Sequence, residues 1–552
     1  MPGNSVIAGP FQGGLSTYSD PTSIQDNELV VCDNFDIDMD GSLKSRPPFV
    51  DRGVTFPLAT TGNMRILGYY YVSAGNVNSN YVVASDGNSS TYYFDGSSWH
   101  LITSSLSAVS MVQYNGQLWL VAPTGVCGYW TPTGGWVADD WCPNGESITV
   151  YKSRMYVAAG ASAVNRTLIS SGNTTGIVGT STGWVPDVTD IYYSAVLGLS
   201  PWKPITSGTN PPQSPGISVF KVNAGDGQAT VALLNTQGTF YIFRTASIWT
   251  FSYASDPKAG VVASLVPNIG LADSQALLFF ENYIYFMFDG KAYTLFSGLA
   301  NLFNPKVPFV AGSRTGVYQP FAVSVFNRRI IFTYYDTMYV YSLRSQNWTT
   351  WHAPAYGSIG KIVQFSGALT SDTPVAVTSP NVSVAPGGTR TAKLLYLTDA
   401  FTDEVEAAPY ICSMQTKTVD YGAPTNYKRL FWWAVDATYR SGLVAKVVPE
   451  VFSYQVTWGQ ILAMGRTWGS MRSYTWGNPS AGDLSASTQV SGVGAGLGPL
   501  RKTIRLNKNM RFKQAYYTVA LTVDGSSKTC PARIFLLETF VLVKDRVSRT
   551  VS

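Results

Sequence analysis

From about residue 60 to about residue 360 the chain repeats one pattern: a short apolar strand, a polar turn, a second strand, another turn, and a strand ending near tryptophan. Arg65 to Tyr71, Tyr81 to Ser85 and Thr91 to Phe94 form the first set, closed by Asp95-Gly96-Ser97-Ser98-Trp99. A second runs from Met111 through Asn115-Gly116 to Val121 and ends near Trp136, and a third begins at Ser147 to Ala158. Later sets turn at Gln237-Gly238, at Glu281-Asn282 and Asp289-Gly290, and at Asn327-Arg328-Arg329 before Trp348. Asn-Gly and Asp-Gly pairs between apolar runs are strong hairpin signals. Four short strands recurring every ~40–50 residues are the mark of a propeller blade. The expected architecture is an all-β protein with a β-propeller over residues 56–395. Six blades are the central value in a range of five to seven, and separate sandwiches are the alternative.

The flanks differ. Residues 1–55 form a turn-rich N-terminal arm, and 370–392 are a Ser/Thr/Pro/Gly linker. From 396 to 552 longer alternating runs predict a C-terminal β-sandwich-like domain. Within it, Thr457-Trp458-Gly459, Thr467-Trp468-Gly469 and Thr475-Trp476-Gly477 form a short internal repeat, expected as a Trp-anchored loop. Large aromatics supply disproportionate energy at interfaces, so Trp458, Trp468 and Trp476 are candidate contact residues.

Enzymatic chemistry has little to draw on. General acid–base work needs a histidine or tuned carboxylates, and the chain has 2 His and 33 Asp plus Glu in 552 residues. His100 and His352 each follow a tryptophan where blades turn, a packing or surface position. Gly179-Thr180-Ser181-Thr182-Gly183 matches GxSxG, but its Ser/Gly/Thr flanks give neither the strand nor the helix of a nucleophile elbow. Asp139-Asp140 beside Trp141 is the one pair suited to a sugar site, and a solvated loop is the simpler reading. Asp95-Gly96-Ser97-Ser98-Trp99 is similar to part of the sialidase Asp box, itself a structural turn. Asp33, Asp36, Asp38 and Asp40 lack the Gly-then-Glu spacing of an EF-hand. Five cysteines with no CxxC argue against zinc or a disulfide framework, although Cys127 and Cys142 are close enough in sequence to pair. The basic run Arg501 to Lys513 alternates with apolar residues and reads as a strand rather than a phosphate-binding patch. No secretion signal, transmembrane helix, cofactor, metal or sequence-specific nucleic-acid site is expected.

The leader carries the most specific text: Phe11-Gln12-Gly13-Gly14-Leu15, Pro21, Ile24, Asp26-Asn27-Glu28-Leu29, Asn34-Phe35-Asp36-Ile37-Asp38, Asp40-Gly41-Ser42-Leu43 and Arg46-Pro47-Pro48. It resembles the opening of tail-associated β-propeller proteins of tailed bacteriophages, with the pattern F-x-G-G-L, P, I, D-x-E, N-F-D, D-G-x-L, R-P-G. That family includes tail nozzle and stabilisation proteins and minor tail proteins. Pro48 departs from it, standing where the family often has Gly. The run Thr416 to Pro424 with Lys428-Arg429 is also similar to such proteins.

The resemblance implies a non-enzymatic virion component, assembled in the host bacterial cytoplasm. It would act as a trimer or hexamer fixed to other tail proteins in virion assembly and genome delivery. A module binding host-surface glycan and a glycan-cleaving tail enzyme are the alternatives. The residues expected to make assembly contacts are Phe11, Gly13, Gly14, Leu15, Asn34, Phe35, Arg46 and Pro47, with the three tryptophans. Two placements of the leader are open: an arm that adds a strand to a neighbouring subunit, or a segment that packs on its own propeller and closes the ring.

Overall fold

The computed structural model describes residues 4–8, 10–17, 20, 23–57, 64–74, 77–139, 142–159, 188–196, 202, 217–310, 321–353, 356, 358–365, 375–378, 380–381, 392–397, 409–419, 428–439, 443–450, 486–490, 500–512, 514–523 and 533–543. Among these, the only helical turn is Pro257–Ala259, and all other regular structure is strand.

Tight turns set the strand lengths. At Asn115-Gly116, Lys152-Ser153, Gln237-Gly238, Glu281-Asn282, Asp289-Gly290, Ser297-Gly298 and Asn327-Arg328 both central residues have positive φ. This is the type I′ arrangement, whose twist matches that of the paired strands. Gly, Asn and Asp reach it at little cost. Lys152-Ser153 reaches it without such residues, so the run from Ser147 to Ala158 is two strands, Ser147–Tyr151 and Arg154–Ala158.

Among the described residues seven four-stranded antiparallel blades result, and their innermost strands pack around the axis. Blades 1 to 6 cover residues 65–103, 110–138, 147–221, 230–267, 277–302 and 321–351. Blade 7 is composite. Val363–Phe365, Val375–Thr378 and Ala392–Leu397 are its inner three strands, and Phe49–Phe56 of the leader is its outer strand. Lys393 Nζ lies 2.6 Å from Asp51 Oδ2 across that joint. Phe56 then packs edge-on against Trp99 of blade 1, 4.9 Å between ring centroids. The ring is therefore closed by pairing strands about 340 residues apart in sequence, a non-local closure of high entropic cost that cross-strand pairs offset.

One polar device recurs between blades. A serine on one inner strand accepts a backbone N–H from the next blade: Ser110 Oγ from Ile148 (3.1 Å), Ser147 Oγ from Leu233 (3.0 Å), and Ser324 Oγ from Ile362 (2.9 Å). Around these latches the interfaces are aromatic. Trp130 of blade 2 meets Tyr70, Tyr81 and Tyr93 of blade 1, and Tyr151 and Tyr156 of blade 3 meet Phe240 of blade 4. Trp99, Trp136 and Trp348 recur because each lies on the outer strand of its blade, whereas Trp249 lies on a third strand.

The C-terminal residues build two sheets. One contains Tyr410–Thr416, Gln514–Val523, Leu443–Glu450 and Ala486–Val490, and the other Arg533–Val543, Lys428–Tyr439 and Leu500–Phe512. Alternate residues point inward: Tyr410, Cys412 and Met414 on one strand, and Ala515, Tyr517, Val519, Leu521 and Val523 on another. These share a core with Ile534 and Leu537 of the second sheet. The basic run from Arg501 falls largely on the strand Leu500–Phe512.

Three expectations change. Among the described residues the ring has seven blades, the top of the expected range of five to seven, because part of the seventh is encoded in the leader and escapes the repeat count. A domain boundary at 55/56 cuts the strand Phe49–Phe56, and one at 395/396 cuts Ala392–Leu397. The leader is not a separate arm. Glu28–Asp33 joins Asn347–Trp351 of blade 6 to the sandwich strand Tyr410–Thr416, while Phe35–Ile37 and Leu43–Ser45 extend the other sandwich sheet.

Candidate functional site

The leader residues singled out in the sequence converge on this seam between blade 6 and the sandwich. Phe11 and Leu15 are buried in the shared core. Phe11 N donates to Gly41 O (2.9 Å), Gly14 N to Phe11 O (3.2 Å) and Gly13 N to Asn27 O (3.0 Å), folding the segment back on the leader's own strand. The two glycines answer a packing demand. A Cβ on Gly13 would lie 2.6 Å from Glu28 Cγ, and one on Gly14 would lie 2.6 Å from Asn347 Cβ of blade 6. Gly14 also has φ +68°, in the left-handed region that favours glycine.

Asn34 and Arg46 form the polar centre. Asn34 has φ 57°. Its N–H donates to Thr350 O (2.6 Å) and its Nδ2 to Ile411 O (2.8 Å). Its Oδ1 accepts from Arg46 Nε (2.9 Å) and from His352 N (2.8 Å). One asparagine thus ties leader, propeller and sandwich. Arg46 is fully buried. Its Nη1 donates to Pro47 O and its Nη2 to His352 O, each at 2.8 Å. The guanidinium lies 4.0 Å from the Tyr410 ring centroid and 4.9 Å from that of Phe49. Tyr410 Oη closes the circuit by donating to Arg46 O (2.8 Å). A buried charge costs several kcal/mol unless its donors are matched, and cation–π contact adds about 2 kcal/mol when desolvated. Phe35 is buried beside this centre and its carbonyl accepts from Trp351 Nε1 (3.3 Å). Pro47 is buried where the chain passes into the outer strand of blade 7.

The rim is ionic. Glu28 Oε1 lies 2.5 Å from Lys306 Nζ of the segment leaving blade 5, and Thr17 N donates to Lys306 O (2.9 Å). Burial pushes the Glu28 carboxyl up, but the Lys306 ammonium and the Gln25 N–H together hold it below its ordinary value. Lys417 pairs with Asp26. The leader aspartates go to separate partners: Asp33 to the Thr350 hydroxyl, Asp36 to Arg329 (3.0 Å), Asp38 to Arg533 (3.5 Å), and Asp40 to Ser42 N and Oγ. They do not converge on one point, and no metal-holding group of three acidic, His or Cys residues occurs among the described residues. Burial pushes the Cys32 thiol well up, as expected of an inert core thiol.

Of the catalytic candidates, the two histidines and Asp95 lie among the described residues at blade turns. His100 Nε2 lies 2.7 Å from Asp95 Oδ2 and 3.0 Å from Ser98 Oγ. Both contacts fall on the same nitrogen, so the imidazole cannot relay a proton from the serine to an acid-oriented second nitrogen. Asp95 Oδ1 accepts from Ser97 N, Ser98 N and Ser97 Oγ, and despite some burial these bonds hold its carboxyl far below the usual range. Its role is the turn cap expected from sequence. His352 contributes its backbone to the Asn34–Arg46 centre. Asp139 N donates to Cys127 O (3.0 Å). Cys127 and Cys142 are both buried, and no disulfide joins them. Asp140, Trp141, the GxSxG run at 179–183, and Trp458, Trp468 and Trp476 lie outside the described residues.

Lys306, Thr350 and Tyr410 are seam residues that the sequence did not single out, and His352 stood out only as a histidine at a blade turn. Tyr410 opens a visibly alternating run, but nothing local to Lys306 or Thr350 distinguishes them.

The chain matches no protein-family model and no curated protein. Among solved structures it is similar to the extracellular domain of the hybrid two-component system BT4673 from B. thetaiotaomicron, with 9% identity, TM-score 0.38, 72% of this chain and 43% of that one covered. It is also similar to the AfRom2 CNH domain (7% identity, TM-score 0.36, 63% and 98% covered) and to the Neurospora crassa Pan2 WD40 domain (8%, 0.36, 62% and 91%). The chain spans under half the length of the first of these.

Proposed function

We propose that this chain is a structural component of a bacteriophage tail: a ring, nozzle or tail-tip minor protein acting in virion assembly and genome delivery. The observation that carries the reading is the leader, from Phe11-Gln12-Gly13-Gly14-Leu15 to Arg46-Pro47, which resembles tail-associated propeller proteins. A physical argument stands beside it. Phe11, Gly14, Asn34 and Arg46 of the resembling segment clasp the propeller to the sandwich, as suits a part that bears load between neighbours. In this reading the chain works in several copies, held by other tail proteins, and catalyses nothing. The test is immunogold labelling of intact virions with an antibody raised against this chain. Gold confined to the tail supports the proposal. Virions that carry no label, and whose proteins on mass spectrometry lack this chain, defeat it.

A further inference from the structure

The outer strands of the blades differ in how they treat an open edge. A strand edge presents unpaired backbone N–H and C=O groups, and proteins blunt it with charge, proline or a bulge. The outer strands of blades 1, 4 and 7 are bulged against their neighbours. That of blade 3 ends on Lys221, that of blade 2 runs into Asp139-Asp140, and that of blade 6 is covered by the leader. Leu299–Leu302 of blade 5 has none of these devices among the described residues. From Leu299 to Phe303 there is no charge, no proline and no break in register.

The turn that starts this strand fixes its hydrogen-bond phase. Phe296 and Leu299 flank the two-residue turn Ser297-Gly298, so they exchange both backbone bonds. Asn301, opposite Thr294, does the same, and Phe303 N continues the phase by donating to Ala292 O (2.8 Å). The N–H and C=O groups of Ala300 and Leu302 therefore point away from the blade, and among the described residues no strand takes them up. Side chains alternate along the same run. Leu299, Asn301 and Phe303 share the face toward blade 6, where Phe303 meets Tyr341 and Trp348. Leu299 stays exposed on that face, beside the exposed and stacked pair Tyr283 and Phe296. Leu302 stays exposed on the other.

This strand is complementary to itself. In an antiparallel pair, residues that bond outward must meet residues that bond outward. Two copies centred on Asn301 satisfy that rule. Ala300 lies opposite Leu302 of the second copy, and Leu302 opposite its Ala300, each pair exchanging two backbone bonds. The closer, non-bonded positions set Leu299 against Phe303, apolar on apolar, and Asn301 against Asn301, whose amides each carry a donor and an acceptor. No charge is opposed or buried at any of these positions.

We infer that the edge of blade 5 is an interface between two copies of this chain, formed by antiparallel pairing of Leu299 to Phe303 across a two-fold axis at Asn301. The pairing follows from the edge alone and does not rest on the tail reading. So short a strand falls below the ~800 Å² per partner of a standard interface, so the dilute chain is monomeric and pairing appears as concentration rises.

The experiment is sedimentation equilibrium of the full chain over a concentration series at low ionic strength. The average mass of the wild type is expected to climb from one chain toward two. Ala300→Pro removes an outward N–H that the blade itself does not use, a position where an edge strand tolerates proline, and should hold the mass at one chain. Asn301→Asp and Asn301→Lys each set like charges opposite one another and should do the same, while an equal mixture of the two regains the climb. Only a two-fold pairing brings residue 301 against itself. Unfolding midpoints of the Asn301 variants should match the wild type, which keeps the test valid if Ala300→Pro does not fold. A wild type that stays monomeric throughout overturns the proposal and leaves the edge to a strand of another protein. A climb that survives these substitutions, or a mixture that stays monomeric, overturns it as well.

Discussion

Blades 5 and 6 are neighbours with the same four-stranded plan and type I′ turns, yet their outer strands have opposite fates. In blade 5, Leu299–Leu302 leaves Leu299 69% and Leu302 46% exposed, with Phe296 beside them at 47%. In blade 6, all five residues of Asn347–Trp351 are buried. Residue type would have ranked them the other way, since Leu-Ala-Asn-Leu is more apolar than Asn-Trp-Thr-Thr-Trp. The difference is the leader. Gly14 lies against Asn347 and Trp348, Asp33 pairs with Thr350, and Thr350 Oγ1 donates to Cys32 O (3.2 Å). A polar outer strand can be buried when a second strand satisfies it. Among the described residues blade 5 keeps an open edge, whereas the outer strand of blade 6 lies inside a ten-stranded sheet that continues into the leader and the sandwich.

The largest test of this contrast is removal of residues 1–45, which spares the blade-7 strand Phe49–Phe56. The truncated chain is expected to lose the sandwich, because that domain's two sheets both borrow leader strands. Limited proteolysis should then cut rapidly beyond residue 400 while residues 49–397 persist longer. A truncated chain with the proteolytic pattern and single unfolding transition of the full protein breaks the comparison.

Point substitutions sharpen it. Trp351→Ala empties a fully buried site and should cost about 3–5 kcal/mol in chemical denaturation. Leu299→Ala, in the outer strand of blade 5, should stay within about 0.5 kcal/mol. Equal losses at both positions would mean that blade 5 is also covered. Smaller than the tryptophan effect is Gly14→Ala, where positive φ and the close Asn347 Cβ act together. It should cost more than about 1 kcal/mol, whereas Gly116→Ala meets open space and bears the φ penalty alone. A Gly14→Ala loss no greater than that of Gly116→Ala would show that the leader yields at this contact.

Much of this was legible in the sequence. Asp289-Gly290 and Asn115-Gly116 announced hairpins because few residues accept two successive positive φ values. The alternation from Tyr410 announced a half-buried strand. Phe11, Gly14, Asn34 and Arg46 were visible as a group, although their placement was not, since nothing within the leader specifies whether its partner is a neighbour or its own propeller. Blade 7 was illegible for a related reason. Its outer strand lies about 340 residues from its third, and repeat counting sees only local succession. The seam's Lys306 and Thr350 became significant only through contacts more than 250 residues away in sequence.

The smallest expected effect lies at the seam's rim and carries a pH signature. The folded state holds the Glu28 carboxyl below its ordinary value, so the unfolded chain binds its proton more readily. By linkage, the stabilisation from this group is fully present above the unfolded carboxylate value of about 4.3 and is lost as pH falls through the lower folded value. Lys306 is 57% exposed, so water screens the pair and its worth is under about 1 kcal/mol. Glu28→Gln should therefore lower stability slightly at pH 7, and the gap between variant and wild type should shrink on acidification below about pH 4. Added salt should narrow the same gap at pH 7. Denaturation midpoints of the two proteins at pH 7, 5 and 3.5 provide the measurement. A gap that widens toward low pH would mean that Glu28 is bound in the seam as the neutral acid, and that Lys306 does not hold the leader against blade 5.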